Sequence, residues 1–197
     1  MSARIITTEP SVEPVSLAEA KLYLRVTDDA QDDVITSLIE AARKTAELYC
    51  NRAFIDTVFD QSYDYRFPDC FYLTPVPVDS VTSITYLDEA GASQTLAASK
   101  YRTDVVSEPG RIEPAYSEVW PTTYPVINAV TVRFKVGYGT AGTDVPEGIR
   151  TAIKMLVGQW YEFREPVITG TIQAELSWTV RALLNPFQLG MFAGSLP

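Results

Sequence analysis

The chain has 197 residues, 46% of them apolar and 21% charged, with a formal net charge of −9 and no histidine. This balance is that of a globular protein, and without a basic stripe it excludes a grip on nucleic-acid phosphates or on an anionic membrane surface. Lacking imidazole, the chain has no Ser-His or Cys-His nucleophile and is deprived of the commonest general base and metal ligand.

Residues 1–14 read as an extended N-terminal arm, with Pro10 and Pro14 opposing helix. Ser16 followed by Glu19 is a capping box, which predicts a helix over 16–26 with Leu17, Ala20 and Leu24 on one face. After a polar break at 27–31, apolar residues at spacings of three and four (Ile35, Leu38, Ile39, Ala42, Ala46, Tyr49) predict a second helix over 32–50. Asp32 and Asp33 suit its positive N-terminal end, and Asn51 suits the left-handed position beyond its last turn.

From about residue 53 to 139 the pattern changes. β-Branched and aromatic residues (Val58, Phe59, Tyr63, Tyr65, Phe67, Phe71, Tyr72) are punctuated by seven prolines between Pro68 and Pro125. Strands are expected at 81–87, 101–106 and 110–112, with a turn at 88–91. Val130, Val132, Phe134 and Val136 alternate with Thr131, Arg133 and Lys135, the signature of a half-buried strand. A third helix is expected over 146–163, with Ile149, Ala152, Ile153, Leu156, Trp160 and Phe163 along one face and Pro166 beyond its end. A short helix follows near 178–184.

The fold class is therefore α+β: a bundle of three to four helices from 15–53 and 140–166, an antiparallel β-domain inserted at 54–139, and a C-terminal tail at 167–197. The helices and the β-block should form separate bodies.

Four constellations of residues bear on chemistry. Gly137, Gly139 and Gly142 spell G-x-G-x-x-G after a strand, but residues 143–145 separate the last glycine from the helix and no second parallel strand follows. The spacing therefore reads as a flexible link rather than a nucleotide site. Asp28, Asp29, Asp32 and Asp33 lack the loop pattern of a calcium site and read as helix capping and solvated charge. Trp160, Tyr161, Glu162, Arg164 and Glu165 crowd the end of the third helix and read as salt bridges and contacts between subunits. Trp178, Leu183, Leu184, Phe187, Leu189, Met191 and Phe192 load a chain end where polar sequence is usual, so the tail either folds back on its own core or docks on a neighbour. Cys50 and Cys70 match no metal or redox spacing and read as reduced thiols of a cytosolic protein. No signal peptide, membrane span, catalytic residue, metal or cofactor is expected.

The order of pieces resembles the head–tail connector, or adaptor, proteins of tailed phages. The resemblance runs from about Pro14 to Phe187. It is carried by residues 15–21 with Leu24 and Arg25, by 33–35 through 41–43 and Glu47 to 51–53, by Tyr101, 110–112, Trp120 and Pro121, and by 137–139, Val145, Pro146 and 160–165. Asn51 stands where a glycine is expected and tolerates the same conformation. The resemblance implies a structural subunit, not an enzyme, that forms a homo-oligomeric ring, typically a dodecamer, under the portal protein. That ring would extend the DNA channel without specific DNA binding and present a surface to a stopper or tail protein. It implies a place at the head–tail junction of the virion, with synthesis in the bacterial host cytoplasm and no membrane partner, and it assigns the C-terminal tail to the portal. A different class, a cell-wall hydrolase of the same particle, would instead show a cleft with two facing carboxylates.

Overall fold

The computed structural model describes residues 2–163 and 176–190. The fold is α+β, as expected, and the described chain divides into two compact units. One is built from 2–10 and 56–138, the other from 11–55 with 139–163 and 176–189.

The first unit holds two antiparallel sheets. Strands β1 (Ser2–Thr8), β2 (Thr57–Tyr63), β8 (Val130–Val136), β4 (Val78–Leu87) and β5 (Ser93–Thr95) lie in that order in one sheet. Strands β3 (Phe71–Leu73), β7 (Gly110–Pro114) and β6 (Tyr101–Asp104) form the other. The centre is β8, whose Val130, Val132, Phe134 and Val136 are all buried while Arg133 is exposed. It pairs antiparallel with β2 on one side and β4 on the other. Arg133 clamps Asp60 through two hydrogen bonds of 2.7 Å on the opposite face of the sheet. A second cluster packs Phe67 between Trp120, stacked at 5.0 Å, and the edge-on rings of Phe71 and Tyr86.

The expected N-terminal arm is corrected here: Ser2–Thr8 is a strand, registered against β2 from Ser2↔Tyr63 to Ile6↔Phe59. The inserted β-domain of the sequence reading is thus one sheet short of a strand without the chain's own N-terminus. β4 also begins at Val78, earlier than the expected residue 81, because irregularities at Val78/Ser80 and Val81/Ser83 interrupt the alternation that marks a strand in sequence.

The second unit is helical: α1 (Leu17–Leu24), α2 (Asp32–Cys50), α3 (Glu147–Glu162) and α4 (Trp178–Leu184). The capping box of α1 forms, with the Glu19 N–H donating to Ser16 Oγ (3.2 Å) and the Ser16 N–H to Glu19 Oε2 (2.9 Å). The helix stops at Leu24, two residues earlier than expected, because Arg25 turns left-handed (φ 59°). α2 has the expected bounds, and Asn51 ends it in the left-handed conformation (φ 52°). The core is Ile35, Ile39, Ala42 and Ala46 of α2, Ile149, Ile153, Leu156 and Val157 of α3, and Val180 and Leu184 of α4. Burying side chains of this size stabilises the unit by roughly 1.5–3 kcal/mol each.

Candidate docking surface

Two arginines fix the lead-in to the bundle. Arg43, almost fully buried on α2, donates from Nε to Glu13 Oε2 and from Nη1 to Glu47 Oε2, both at 2.8 Å. Burial pushes the Glu47 carboxyl up, against the opposing pull of the Phe54 N–H and of Arg43. Arg150 on α3 donates from Nε to the Pro14 carbonyl (3.0 Å), from Nη1 to Glu147 Oε2 (2.8 Å) and from Nη2 to Glu19 Oε1. The Glu19 carboxyl is held below its ordinary range, first by the Ser16 N–H. Residues 13–19 are therefore pinned between α2 and α3. The sequence reading did not single out these clamps; their only local signals are the Arg43/Glu47 and Glu147/Arg150 spacings of four and three.

The same packing accounts for the glycine run. A Cβ on Gly142 would lie 2.7 Å from the Glu13 carbonyl oxygen and 2.9 Å from that of Pro14. The backbone of residues 13–14 packs directly against Gly142, which is why this position lacks a side chain. Of the acidic cluster, Asp29 and Asp32 share Lys21 Nζ at 2.6 and 2.7 Å, and Asp28 caps the Ala30 N–H. The described residues contain no group of three or more carboxylate or thiol side chains placed to hold a metal.

The C-terminal segment is fastened to α2 and α3. Tyr49 donates its hydroxyl to Asn185 Oδ1 (2.7 Å), Arg52 Nε donates to the Phe187 carbonyl, and the Leu189 N–H donates to the Cys50 carbonyl (2.9 Å). The Cys50 thiol is buried, donates to the Leu184 carbonyl (3.8 Å), and is pushed up to about 11 by burial. The Phe187 ring lies 3.1 Å from the position a Cβ on Gly148 would take. Of the residues expected to dock on a neighbour, Leu184 is thus in the subunit's own core, and Leu183, Phe187 and Leu189 are half-buried. Trp178, at the start of α4, is 81% exposed. Met191 and Phe192 lie outside the described residues. Of the inter-subunit candidates, Trp160 and Tyr161 are half-buried and Glu162 is exposed, whereas Arg164 and Glu165 lie outside the described residues. Leu22 (81%) and Leu48 (84%) are further exposed apolar side chains of this unit, on α1 and α2.

A surface depression in the β-unit, lined by Tyr86, Asp88, Glu89, Ala90 and Thr122, brings two carboxylates together. Asp88 is consumed by its own turn, accepting from the Ala90 and Ala92 N–H groups (3.0 and 2.9 Å) and from Gln94 Nε2 (2.8 Å). These bonds, Gln94 first, hold its carboxyl below the ordinary range, the opposite of what a general acid requires.

Comparison with known proteins agrees with a structural reading. No curated protein matches the chain by sequence. Among solved structures, a chain from the neck of an empty gene transfer agent particle with C6 symmetry superposes with a TM-score of 0.77 at 23% identity, covering 98% of this chain and 100% of that one. A chain from the virion of a native gene transfer agent particle gives 0.78 at 24% identity, over 98% and 99%. One from the neck of a native particle with C12 symmetry gives 0.71 at 24% identity, over 98% and 100%. The model of the head completion protein family matches residues 13–177, from the Glu13 that Arg43 grips to the Ser177 that caps α4. The chain belongs to the head completion protein family, whose members are structural proteins and not enzymes.

Proposed function

We propose that this protein is the adaptor of the head–tail junction: a subunit that assembles as a ring of twelve under the portal, extends the DNA channel and receives the next tail component. The observation that carries this reading is the family match over 13–177, which spans the whole arginine-clamped lead-in, both sheets beyond β1 and α3. The gene transfer agent necks of C6 and C12 symmetry, whose chains share this fold, support a ring. A net charge of −9 suits a channel through which DNA passes without adhering.

Trp178 is the anchor of the portal-facing contact in this reading. It is large, aromatic and 81% exposed on a segment whose Val180 and Leu184 are spent inside the subunit. Interface energy concentrates in such residues, each contributing on the order of 2 kcal/mol or more. Trp178→Ala should leave the melting curve unchanged and weaken attachment to portal-bearing heads roughly thirtyfold. Undiminished attachment, or a lowered melting temperature, would remove Trp178 from the interface.

A further inference from the structure

Strand β1 is weakly anchored in its sheet. It stands at the end of the strand order, with β2 as its neighbour. Every residue from Ala3 to Glu9 is exposed, and the buried side chains of this sheet come from β2, β4 and β8. Pairing runs regularly from Ser2↔Tyr63 to Ile6↔Phe59 and then slips between Ile6 and Thr8. Residues 9–12 make no backbone hydrogen bond among the described residues. The chain is next fixed at Glu13, where Arg43 grips the carboxylate at 2.8 Å.

β2 does not need this neighbour to stay in place. Its other edge is paired with β8 along its whole length, from Thr57↔Val136 to Tyr63↔Val130. Lifting β1 away therefore leaves β2 ordered, with the backbone N–H and C=O groups of one edge unpaired. Such an edge is a template for an added strand. The register also sets what that strand must carry. Ile6 lies beside Phe59, whose ring stacks on the buried Phe134 (6.2 Å), so its position faces the apolar side of the sheet. Ile5, 67% exposed, lies on the opposite side, beside Asp60. The strand is thus read at every second residue, with an apolar requirement at position 6 and none at position 5.

We propose that residues 2–8 are a displaceable strap over a strand-binding edge of β2. The edge takes an extended peptide that runs antiparallel to β2 and sets an apolar side chain opposite Phe59. In the closed subunit the chain's own N-terminal strand is that peptide. Segments that bury little apolar surface open locally at a small fraction of the cost of global unfolding. The short tether of residues 9–12 keeps the strap near the edge at an effective concentration on the order of millimolar. An outside peptide of the same chemistry must compete with that tethered copy, so the site is masked rather than absent. Side-chain ties help to hold the strap closed: Arg4 Nη1 donates to Thr74 Oγ1 (2.8 Å), and the Thr7 hydroxyl donates to the Asp60 carboxylate that Arg133 clamps. The strap is a property of the subunit itself and does not depend on the ring.

The test uses the full chain and a labelled peptide of residues 1–9. In hydrogen exchange of the wild type, the β2 amides that face β1 should exchange about a hundredfold or more faster than the β2 amides that face β8. Ile6→Asp sets a charge against Phe59 and should open the strap in a chain whose β8 amides stay protected. The labelled peptide should then bind this variant about tenfold or more tighter than it binds the wild type, whose own strap competes. Within the peptide, Ile6→Asp should abolish that binding, whereas Ile5→Asp should leave it within about threefold. Equal protection of the two sets of β2 amides overturns the proposal. So does loss of β8 protection in the Ile6→Asp chain, which would make β1 integral to the fold. A peptide that binds both chains alike, that binds neither at millimolar concentration, or that suffers as much from Ile5→Asp as from Ile6→Asp, overturns it as well.

Discussion

Arg43→Ala gives the sharpest test of how the helical unit is held. The side chain of Arg43 is 5% exposed, and those of Glu47 and Glu13 are 17% and 28% exposed. Removing the arginine leaves two carboxylates facing one another with their shared counter-charge gone. Breaking a buried pair in this way costs about 3–5 kcal/mol, and the partial exposure of Glu13 places this case near the lower figure. For a chain of this size about 3 kcal/mol lowers the melting temperature by roughly 6–12 °C. The cost should also depend on pH. Burial already raises the Glu47 carboxyl above its ordinary 4.5, so the folded state holds that proton more tightly than the unfolded chain. Such a group favours folding at low pH, and its contribution is lost as pH rises through 4.5 and then through the folded value. Without Arg43 the shift grows, so the variant should lose most at neutral pH and recover toward the wild type as pH falls to about 5. Urea titrations followed by circular dichroism at both pH values would measure this. The double variant Arg43→Ala/Glu47→Gln should recover part of the loss at neutral pH. A cost below about 1 kcal/mol, or one identical at both pH values, would refute the reasoning.

Three further outcomes follow from the same geometry. Deleting 176–197 removes Val180 and Leu184 from the core and should lower the unfolding free energy, measured by urea titration, by about 3 kcal/mol or more. Gly142→Val drives a branched side chain into the carbonyls of Glu13 and Pro14 and should destabilise by about 1–3 kcal/mol, while calorimetry with nucleotides shows no heat for either protein. The carboxyls of Glu19, Asp60 and Glu147 are held low, chiefly by the Ser16 N–H, Arg133 and Lys154 respectively, so their contribution is present above about pH 4.5 and is lost as pH falls through the lowered folded values; Glu19→Gln should flatten the acid limb of a stability–pH profile.

What was legible in the sequence was whatever is encoded locally. Ser16 and Glu19 announce α1, the spacing of Ile35, Ile39, Ala42 and Ala46 gives α2 its full length, and strict alternation marks β8. β1 was missed because an edge strand exposed on both faces shows no alternation: Ile5 and Ile6 are neighbours, and the partner strand lies more than fifty residues away. The early stop of α1 had no signal, since Arg25 turns left-handed without glycine or asparagine to mark it. The arginine clamps depend on which helices meet, and sequence does not state that. The tail shows the same limit: apolar crowding at a chain end is equally consistent with Leu184 in a core and with Trp178 at a surface, and only the fold separates them.

The central claim is that this chain is a ring subunit at the junction of head and tail. Electron cryomicroscopy of the assembled particle tests it most directly, by asking where this fold lies in the neck density and in how many copies. The account predicts a closed ring of twelve copies beneath the portal, with Trp178 buried against it and an open axial channel. Density for this fold elsewhere in the particle, such as a few copies at the tail tip, or a junction complete without it, would contradict the account.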